Sequence, residues 1–391
     1  MRVLHVIPSV SPLRGGPSKA VFGMVKALRE VGVDASILTT NDHGPGIDRS
    51  LPPGRWIERQ GVPLLAFGRW SPPLRALREF ALSPALSGWL RQHIHAYDLL
   101  HVHAIFSFPS TWAMLQARQA GVPYLVRTIG QLSPWSLNQS PARKRWMLRL
   151  VERSNLNAAA ALHFTSRAEQ READALCLTP PSLVLPLGVS VVAAASGEMP
   201  RAAAGPVRFL FLSRLHPKKG LERLIEALAL LQTQQPEADW TLTIAGSGAA
   251  DYEAELRRLA QESRISPRCR WLGHLEGRAK ERELIAADWL VLPSAAENFG
   301  IVVAEALACG TPVILSPEVA IAELVEEAGA GLISPSDPAL LARTLSRGLA
   351  GAGAEMRRAA RNLAERRLAW SAIADDLHQA YARIQELPAP R

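Results

Sequence analysis

Two stretches in the second half of the chain combine cations, carboxylates and glycine at spacings that suit an anionic, hydroxyl-bearing ligand. The first, Ser213-Arg214-Leu215-His216-Pro217-Lys218-Lys219-Gly220, lies between a strand-like run, Val207 to Leu212, and a helix-like run, Leu221 to Leu231. At such a turn Arg214 and Lys219 supply charge and the helix start supplies amides, which together suit a diphosphate. Alone, the same residues also read as a solvated basic loop. The GxxxxGK[ST] pattern of a Walker loop is absent. The second stretch runs Pro293-Ser294-Ala295-Ala296-Glu297-Asn298-Phe299-Gly300 and continues into Ile301-Val302-Val303-Ala304-Glu305. Amides at Phe299 and Gly300 would point out of a helix N-terminus toward an anion. Glu305 falls inside an otherwise apolar helix, where a carboxylate destabilises unless something binds it. Vicinal ribose hydroxyls are suitable donors; pairing with an arginine is the plain alternative. Gly246-Ser247-Gly248, after the strand Thr241 to Ala245, is a third glycine turn and reads equally well as an ordinary tight turn.

In the first half, Gly15-Gly16 follows a strand, Arg2 to Pro8, and allows close backbone approach to a ligand, or simply a flexible turn. His101 and His103 alternate along a second strand, Leu99 to His103, and are read here as pointing to opposite faces. That reading disfavours joint metal chelation and leaves His103 nearest the strand tip, with a core histidine as the bland alternative.

The elements that must position these residues alternate between strand and helix, which implies βαβ units and parallel sheets. The small-residue segment 189–206 reads as a linker between residues 1–188 and 207–370, and a last helix, Ser371 to Leu387, is expected to pack back on the first domain. The length of 391 residues, with 48% hydrophobic and 20% charged, fits two globular domains and excludes a disordered or collagenous chain. No apolar run is long enough to span a bilayer, no signal peptide is legible, and three scattered cysteines indicate neither disulfides nor zinc. A cytoplasmic protein is expected. The net charge of +8 asks for an anionic partner or surface, yet 38 of the 44 basic residues are arginine and no nucleic-acid-binding signature is present.

Together these residues resemble the retaining glycosyltransferases of family four, with the GT-B fold of two doubly wound, Rossmann-like α/β domains facing a central cleft. The resemblance spans nearly the whole chain and rests on Arg214 with Lys219-Gly220 and on Glu297 and Glu305 with Asn298-Phe299-Gly300 between them. It implies a nucleotide-diphosphate-sugar donor bound mainly by the second domain, no further cofactor and no metal. Arg214 and Lys219 would hold the diphosphate, Glu297 the donor sugar, Glu305 the ribose, and the amides of Phe299 and Gly300 the sugar or phosphate. Gly246 and Asn298 would lie in the same donor site, and the backbone around Leu272 would read the base. Gly15 and Gly16 would approach the diphosphate from the first domain, His103 would sit near the transferred sugar, and Arg127 and Gly130 would lie on the acceptor side. Relatives often carry His-Gly where this chain reads Thr128-Ile129-Gly130, so a histidine contact is missing there. Ser133-Pro134-Trp135-Ser136-Leu137 and Leu162-His163-Phe164-Thr165-Ser166 with Glu169 are similar to members assigned to bacterial polysaccharide assembly.

Arg143, Lys144, Arg145, Arg149 and Arg153, interleaved with Trp146 and Leu150, suggest a basic amphipathic helix on anionic lipid and a glycan or lipid-linked acceptor. A second stretch, Arg69 to Arg91 with Trp70, Phe80, Leu82 and Trp89, is read the same way; a solvated face over ordinary core is the alternative. The competing functions are a GT-B epimerase or phosphorylase and a nucleotide-sugar or lipid-binding protein without turnover.

Overall fold

A computed structural model describes residues 1–74, 78–191 and 205–386. The chain forms two compact units, Met1–Gly188 with Trp370–Arg391, and Val189–Ala369. Most of the linker expected over 189–206 lies outside the described residues. Its first residue is no linker: Val189 bridges Ala369 and donates its amide to the Leu368 carbonyl at 2.7 Å.

The first unit is built on β1 (Arg2–Ser9), β2 (Asp34–Thr40), β3 (Trp56–Arg59), β4 (Val62–Phe67), β5 (Leu99–His103), β6 (Tyr124–Arg127), β7 (Ala161–Phe164) and β8 (Ser182–Val184). Their order across the sheet is β8-β7-β6-β5-β1-β2-β4-β3, parallel except for the β3–β4 pair. Central strands have fully buried Val3, Leu4, Val6, Leu99, Leu100 and Val102, as expected of a parallel sheet covered on both faces. α1 (Gly16–Glu30) buries Val21, Met24, Val25 and Leu28, one helical stripe. The last helix, α6 (Trp370–Glu386), belongs to this unit and packs on α1. Trp370 fits there because Gly23 and Gly188 have no side chain; a Cβ on either would lie 2.4 or 2.2 Å from its indole.

The second unit has β9 (Val207–Leu212), β10 (Trp240–Ala245), β11 (Cys269–Gly273), β12 (Trp289–Leu292), β13 (Val313–Leu315) and β14 (Gly331–Ile333). The order is β11-β10-β9-β12-β13-β14, all parallel. Strand order reverses between β9 and β12 here, and between β1 and β5 in the first unit. Open α/β sheets bind ligands beyond the strand carboxyl ends at such reversals.

Candidate functional site

In the second unit the two sequence motifs are the loops on either side of the strand reversal. Residues 213–220 leave β9 and enter α3 (Leu221–Gln234); residues 293–300 leave β12 and enter α5 (Ile301–Ala308). The loops are bound to each other. The Ala295 amide donates to the Lys218 carbonyl at 2.9 Å, and a Cβ on Gly220 would sit 2.2 Å from the Pro293 carbonyl oxygen. Lys219 forms an ion pair with Glu297, both side chains mostly buried. Glu305, on the first turns of α5, receives a 2.6 Å bond from Lys280 of α4 (Gly277–Ala286), so a lysine is one of its partners. Lys280 is the residue the motif reading missed; only its distance from both loops in sequence hid it. Arg214 is exposed. Asn298 is exposed, while the Phe299 side chain is buried, which leaves the Phe299 backbone as its contact group. Among the described residues the amides of Phe299 and Gly300 have no acceptor. The arrangement therefore offers two ammonium groups, a guanidinium, two carboxylates and unsatisfied amides around one strand reversal.

Gly246 has a packing reason of its own. A Cβ there would sit 1.8 Å from the Ser213 carbonyl oxygen, and the Leu215 amide bonds to the Ser247 carbonyl at 2.9 Å. The glycine turn shapes the Arg214 loop. Leu272 is half-buried on the edge strand β11, and the neighbouring Gly273 carbonyl accepts from the Gly246 amide at 2.7 Å.

In the first unit, Gly15 and Gly16 follow β1 at its strand reversal, and a Cβ on either would meet nothing within 4 Å. Gly15 has φ +77°, which favours glycine, but Gly16 has neither strain nor crowding to account for it. The loop is held by Arg14, whose guanidinium donates twice to Asp42, at 2.8 and 3.0 Å; the buried Arg69 side chain pairs with the same carboxylate. Burial pushes the Asp42 carboxyl up, but the Arg14 bonds and the Arg14 and Arg69 charges outweigh it and hold it below the usual range. Arg69 therefore points inward, and Trp89 packs on Phe67 and Tyr97. These two residues are therefore not part of the basic, lipid-facing stretch expected at Arg69 to Arg91, of which Trp70 is exposed and residues 75–77 lie outside the described residues.

His101 and His103 do not face opposite ways. Two residues are one full pleat, so both lie on the same face of β5, with ring centroids 4.4 Å apart. His5 sits beside His101 on β1, and Arg127 and His163 sit across β6 and β7 in register with His103. All five are fully or almost fully buried, so His103 stands at the strand tip but is closed off from solvent. Tautomers follow from partners that can only donate or only accept. Tyr381 donates to His101 Nδ1 (2.7 Å), His101 Nε2 to His163 Nδ1 (3.3 Å), and His163 Nε2 to the Leu185 carbonyl (3.0 Å). Arg127 donates to His103 Nδ1 (3.5 Å) and His103 Nε2 to His5 Nδ1 (3.0 Å), which leaves His5 Nε2–H without a partner. Burial first, and the Arg127 charge second, lower the His5 pKa to about 3; burial likewise takes His163 to about 3 and Arg127 to about 10. The nitrogens of His5, His101 and His103 lie within 4.8 Å of one another, close enough for a metal. The adjacent guanidinium and the ring-to-ring hydrogen bonds argue for a neutral network instead.

Two buried glutamates hold the remaining loops. Glu152 Oε1 accepts from the Phe106 amide (3.1 Å) and the Thr111 hydroxyl, and burial raises its carboxyl against those bonds. Glu169 accepts from the Thr128 hydroxyl (2.8 Å), the Gly130 amide (2.6 Å), and both the amide and hydroxyl of Thr165 (2.8 Å each). Ala104, Phe106 and Ile129 in these loops all have φ between +55° and +67°. For the β-branched Ile129 this is strained backbone. Gly130 has its amide occupied and Arg127 is buried, so neither presents a free group on the surface of this unit. The basic helix begins as Pro141–Met147, passes through a π-helical turn at Leu148–Glu152 and resumes at Arg153–Asn157. Glu152, in the π turn, is buried, while Arg145, Arg149 and Arg153 are all exposed. Trp146 (71% exposed) and Leu150 (55%) stay outside.

A family model described as "Glycosyl transferases group 1" matches residues 199–367, and one described as "Glycosyl transferase 4-like domain" matches residues 15–189. A D-inositol 3-phosphate glycosyltransferase 2 of Catenulispora acidiphila is 28% identical over 96% of this chain and 92% of its own. A D-inositol 3-phosphate glycosyltransferase of Jonesia denitrificans is 30% identical over 61% of this chain, and the match spans 60% of that relative's length. Anabaena HepE, solved in complex with UDP, is similar in fold at TM-score 0.75 and 22% identity, over 98% of this chain and all of that one. Sucrose-phosphate synthase of Thermosynechococcus elongatus follows at TM-score 0.73 and 22% identity, over 98% and 99%.

Proposed function

This chain belongs to the GT-B glycosyltransferases of the family-four type, and from that premise we propose a retaining, metal-independent transfer of a sugar from a nucleoside-diphosphate sugar to a glycan or lipid-linked hydroxyl. The observation that carries the reading is the pair of bonded loops at the second unit's strand reversal, with Arg214, the Lys219–Glu297 pair and the unsatisfied Phe299 and Gly300 amides. Arg214 and Lys219 take the diphosphate and the charge that grows on it as the bond from anomeric carbon to phosphate oxygen breaks, work a metal does elsewhere. Lys219 exchanges Glu297 for a phosphate oxygen, and Glu297 turns to donor-sugar hydroxyls. Glu305 accepts the ribose hydroxyls. The acceptor oxygen bonds to the anomeric carbon on the face the diphosphate leaves, and its proton passes to the departing phosphate oxygen. His103, being enclosed, acts through the loop it supports: its carbonyl accepts from the Ser110 hydroxyl at 3.0 Å. The UDP complex of HepE favours a nucleoside diphosphate as the recognised group.

The test is thermal unfolding with UDP, GDP and ADP in the presence of a chelator. One nucleotide at 100 times its dissociation constant adds about 2.7 kcal/mol, and Lys219→Ala lowers that affinity tenfold or more while its own unfolding midpoint stays near wild type. No shift with any nucleotide would overturn the donor reading.

A polysaccharide-assembly role at the cytoplasmic face of a membrane is the companion proposal. Exposed Trp146, Leu150 and Val151 beside exposed Arg143, Arg145, Arg149 and Arg153 favour contact with anionic lipid. Among the described residues no helix is long and apolar enough to cross a membrane. Flotation with phosphatidylglycerol vesicles at low salt is expected; a protein that stays at the bottom of the gradient sinks the proposal.

A further inference from the structure

The helical segment 141–157 of the first unit has two faces. On the outer one Arg143, Arg145, Trp146, Arg149, Leu150 and Arg153 are exposed, and four of these line a groove with Ala142. The inner residues Lys144, Leu148, Glu152 and Asn155 recur at helical spacing. Three of them grip one loop, the connection from β5 to the helix Phe108–Ala120. The Lys144 ammonium stands 5.5 Å from the centre of the Phe106 ring and donates to the Ser136 carbonyl at 2.7 Å. Glu152 Oε1 accepts from the Phe106 amide at 3.1 Å and from the Thr111 hydroxyl, and the Asn155 amide donates to the Thr111 carbonyl at 3.3 Å. That loop lies directly beyond the strand reversal of this unit, with Ala104 at φ +67° and Phe106 at φ +58°. Left-handed backbone at such residues persists only where the surroundings over-determine it, so the loop relaxes whenever the grip slackens.

We propose that the two faces are coupled. An anionic lipid surface that orders residues 141–151 from outside tightens the loop 104–110 inside, and the link runs through Lys144 and Glu152. The loop beyond β5 is then most firmly set when the chain is on a membrane. The inference rests on the reading of this segment as lipid-facing, and charge names the occupant: the only carboxylate from 141 to 157 is Glu152, which is buried, so the outer face carries arginine alone as its charge. A contact that favours the ordered helix also favours the gripped loop, because the same side chains belong to both.

The experiment is peptide-resolved hydrogen exchange of the full chain, alone and with phosphatidylglycerol or phosphatidylcholine vesicles. In wild type, phosphatidylglycerol alone is expected to slow exchange over 141–151 and also over 104–111, the latter by roughly fivefold, the low end of coupling between sites. Lys144→Met keeps every outer arginine, so it should still bind the vesicles and protect 141–151 while 104–111 loses its response. Phe106→Leu removes the ring that the ammonium faces and serves where Lys144→Met does not fold. Arg149→Glu, on the outer face, should weaken both responses together. If vesicles slow 141–151 in wild type and leave 104–111 unchanged, the coupling falls and the lipid reading stands. If 104–111 responds as strongly in Lys144→Met and Phe106→Leu as in wild type, the link does not run through the inner face and the proposal falls. If phosphatidylglycerol vesicles alter neither peptide, the lipid reading falls and takes the proposal with it.

Discussion

The two units share a parallel-sheet plan with a reversal of strand order, yet they fix the loops beyond that reversal by opposite means. The second unit uses short-range devices. Gly220 and Gly246 let backbone segments touch, and charged side chains face one another across two adjacent loops. The first unit uses buried carboxylates as clamps, Asp42, Glu152 and Glu169, and it tolerates left-handed backbone at Ala104, Phe106 and Ile129. Beneath those loops lies a tier of neutral histidines that the second unit lacks, since His216 and His274 are exposed. One unit thus sets its motif charges in sheltered pairs, Lys219 with Glu297 and Lys280 with Glu305, between neighbouring elements. The other spends buried polar groups on holding its loops in place.

The largest expected effect separates the units by pH. His5, His101, His103 and His163 are held neutral by burial, with His5 and His163 near about 3 against an ordinary 6.5. The unfolded chain binds more protons below 6.5, so this contribution to stability is complete above that value and is lost as pH falls toward 3. At pH 5 the loss is about 2 kcal/mol for each of His5 and His163. Peptide-resolved hydrogen exchange should therefore show β1 and β5 losing protection near pH 5 while β9 and β12 retain it. Simultaneous loss in both units would break the comparison.

Next in size is the clamp. Glu169→Ala strips four hydrogen bonds from buried partners and is expected to lower stability by about 3 to 4 kcal/mol, read from the urea midpoint at constant slope. A loss under about 1 kcal/mol would mean that the loops hold themselves. Gly246→Ala should be nearly as damaging, about 3 kcal/mol, because its Cβ would lie 1.8 Å from the Ser213 carbonyl oxygen at a φ of +146°. Gly16→Ala sharpens the same contrast from the other side. Its Cβ meets nothing within 4 Å, so stability should move by less than about 0.5 kcal/mol, and any fall in nucleotide affinity would report a ligand contact rather than a fold defect.

The comparison also explains what could be read from the chain. The two-loop motif of the second unit was legible because its constraints lie within runs of eight to thirteen consecutive residues, where charge, glycine and strand ends are visible together. Strand and helix alternation likewise marked the central strands of both sheets, but not β3, β4, β7 and β8 of the first or β11 and β14 of the second. The first unit's clamps join Glu152 to a loop 46 positions away and Glu169 to one 39 positions away, and no local pattern marks such pairs. Lys280 was hidden in the same way, 25 positions from Glu305. The histidines were visible, but their faces were misassigned, since side chains two apart on a strand share a side. Arg69 was read as a surface cation because sequence does not reveal that Asp42 lies in wait for it inside.

The bridge between Val189 and Ala369 has a further consequence. The second unit enters and leaves the chain at adjacent backbone positions, so topologically it is a cassette inserted into the first. Excised as 189–369, it would have termini one hydrogen bond apart, the condition under which circular permutation and exchange between relatives leave a domain's own sheet uncut.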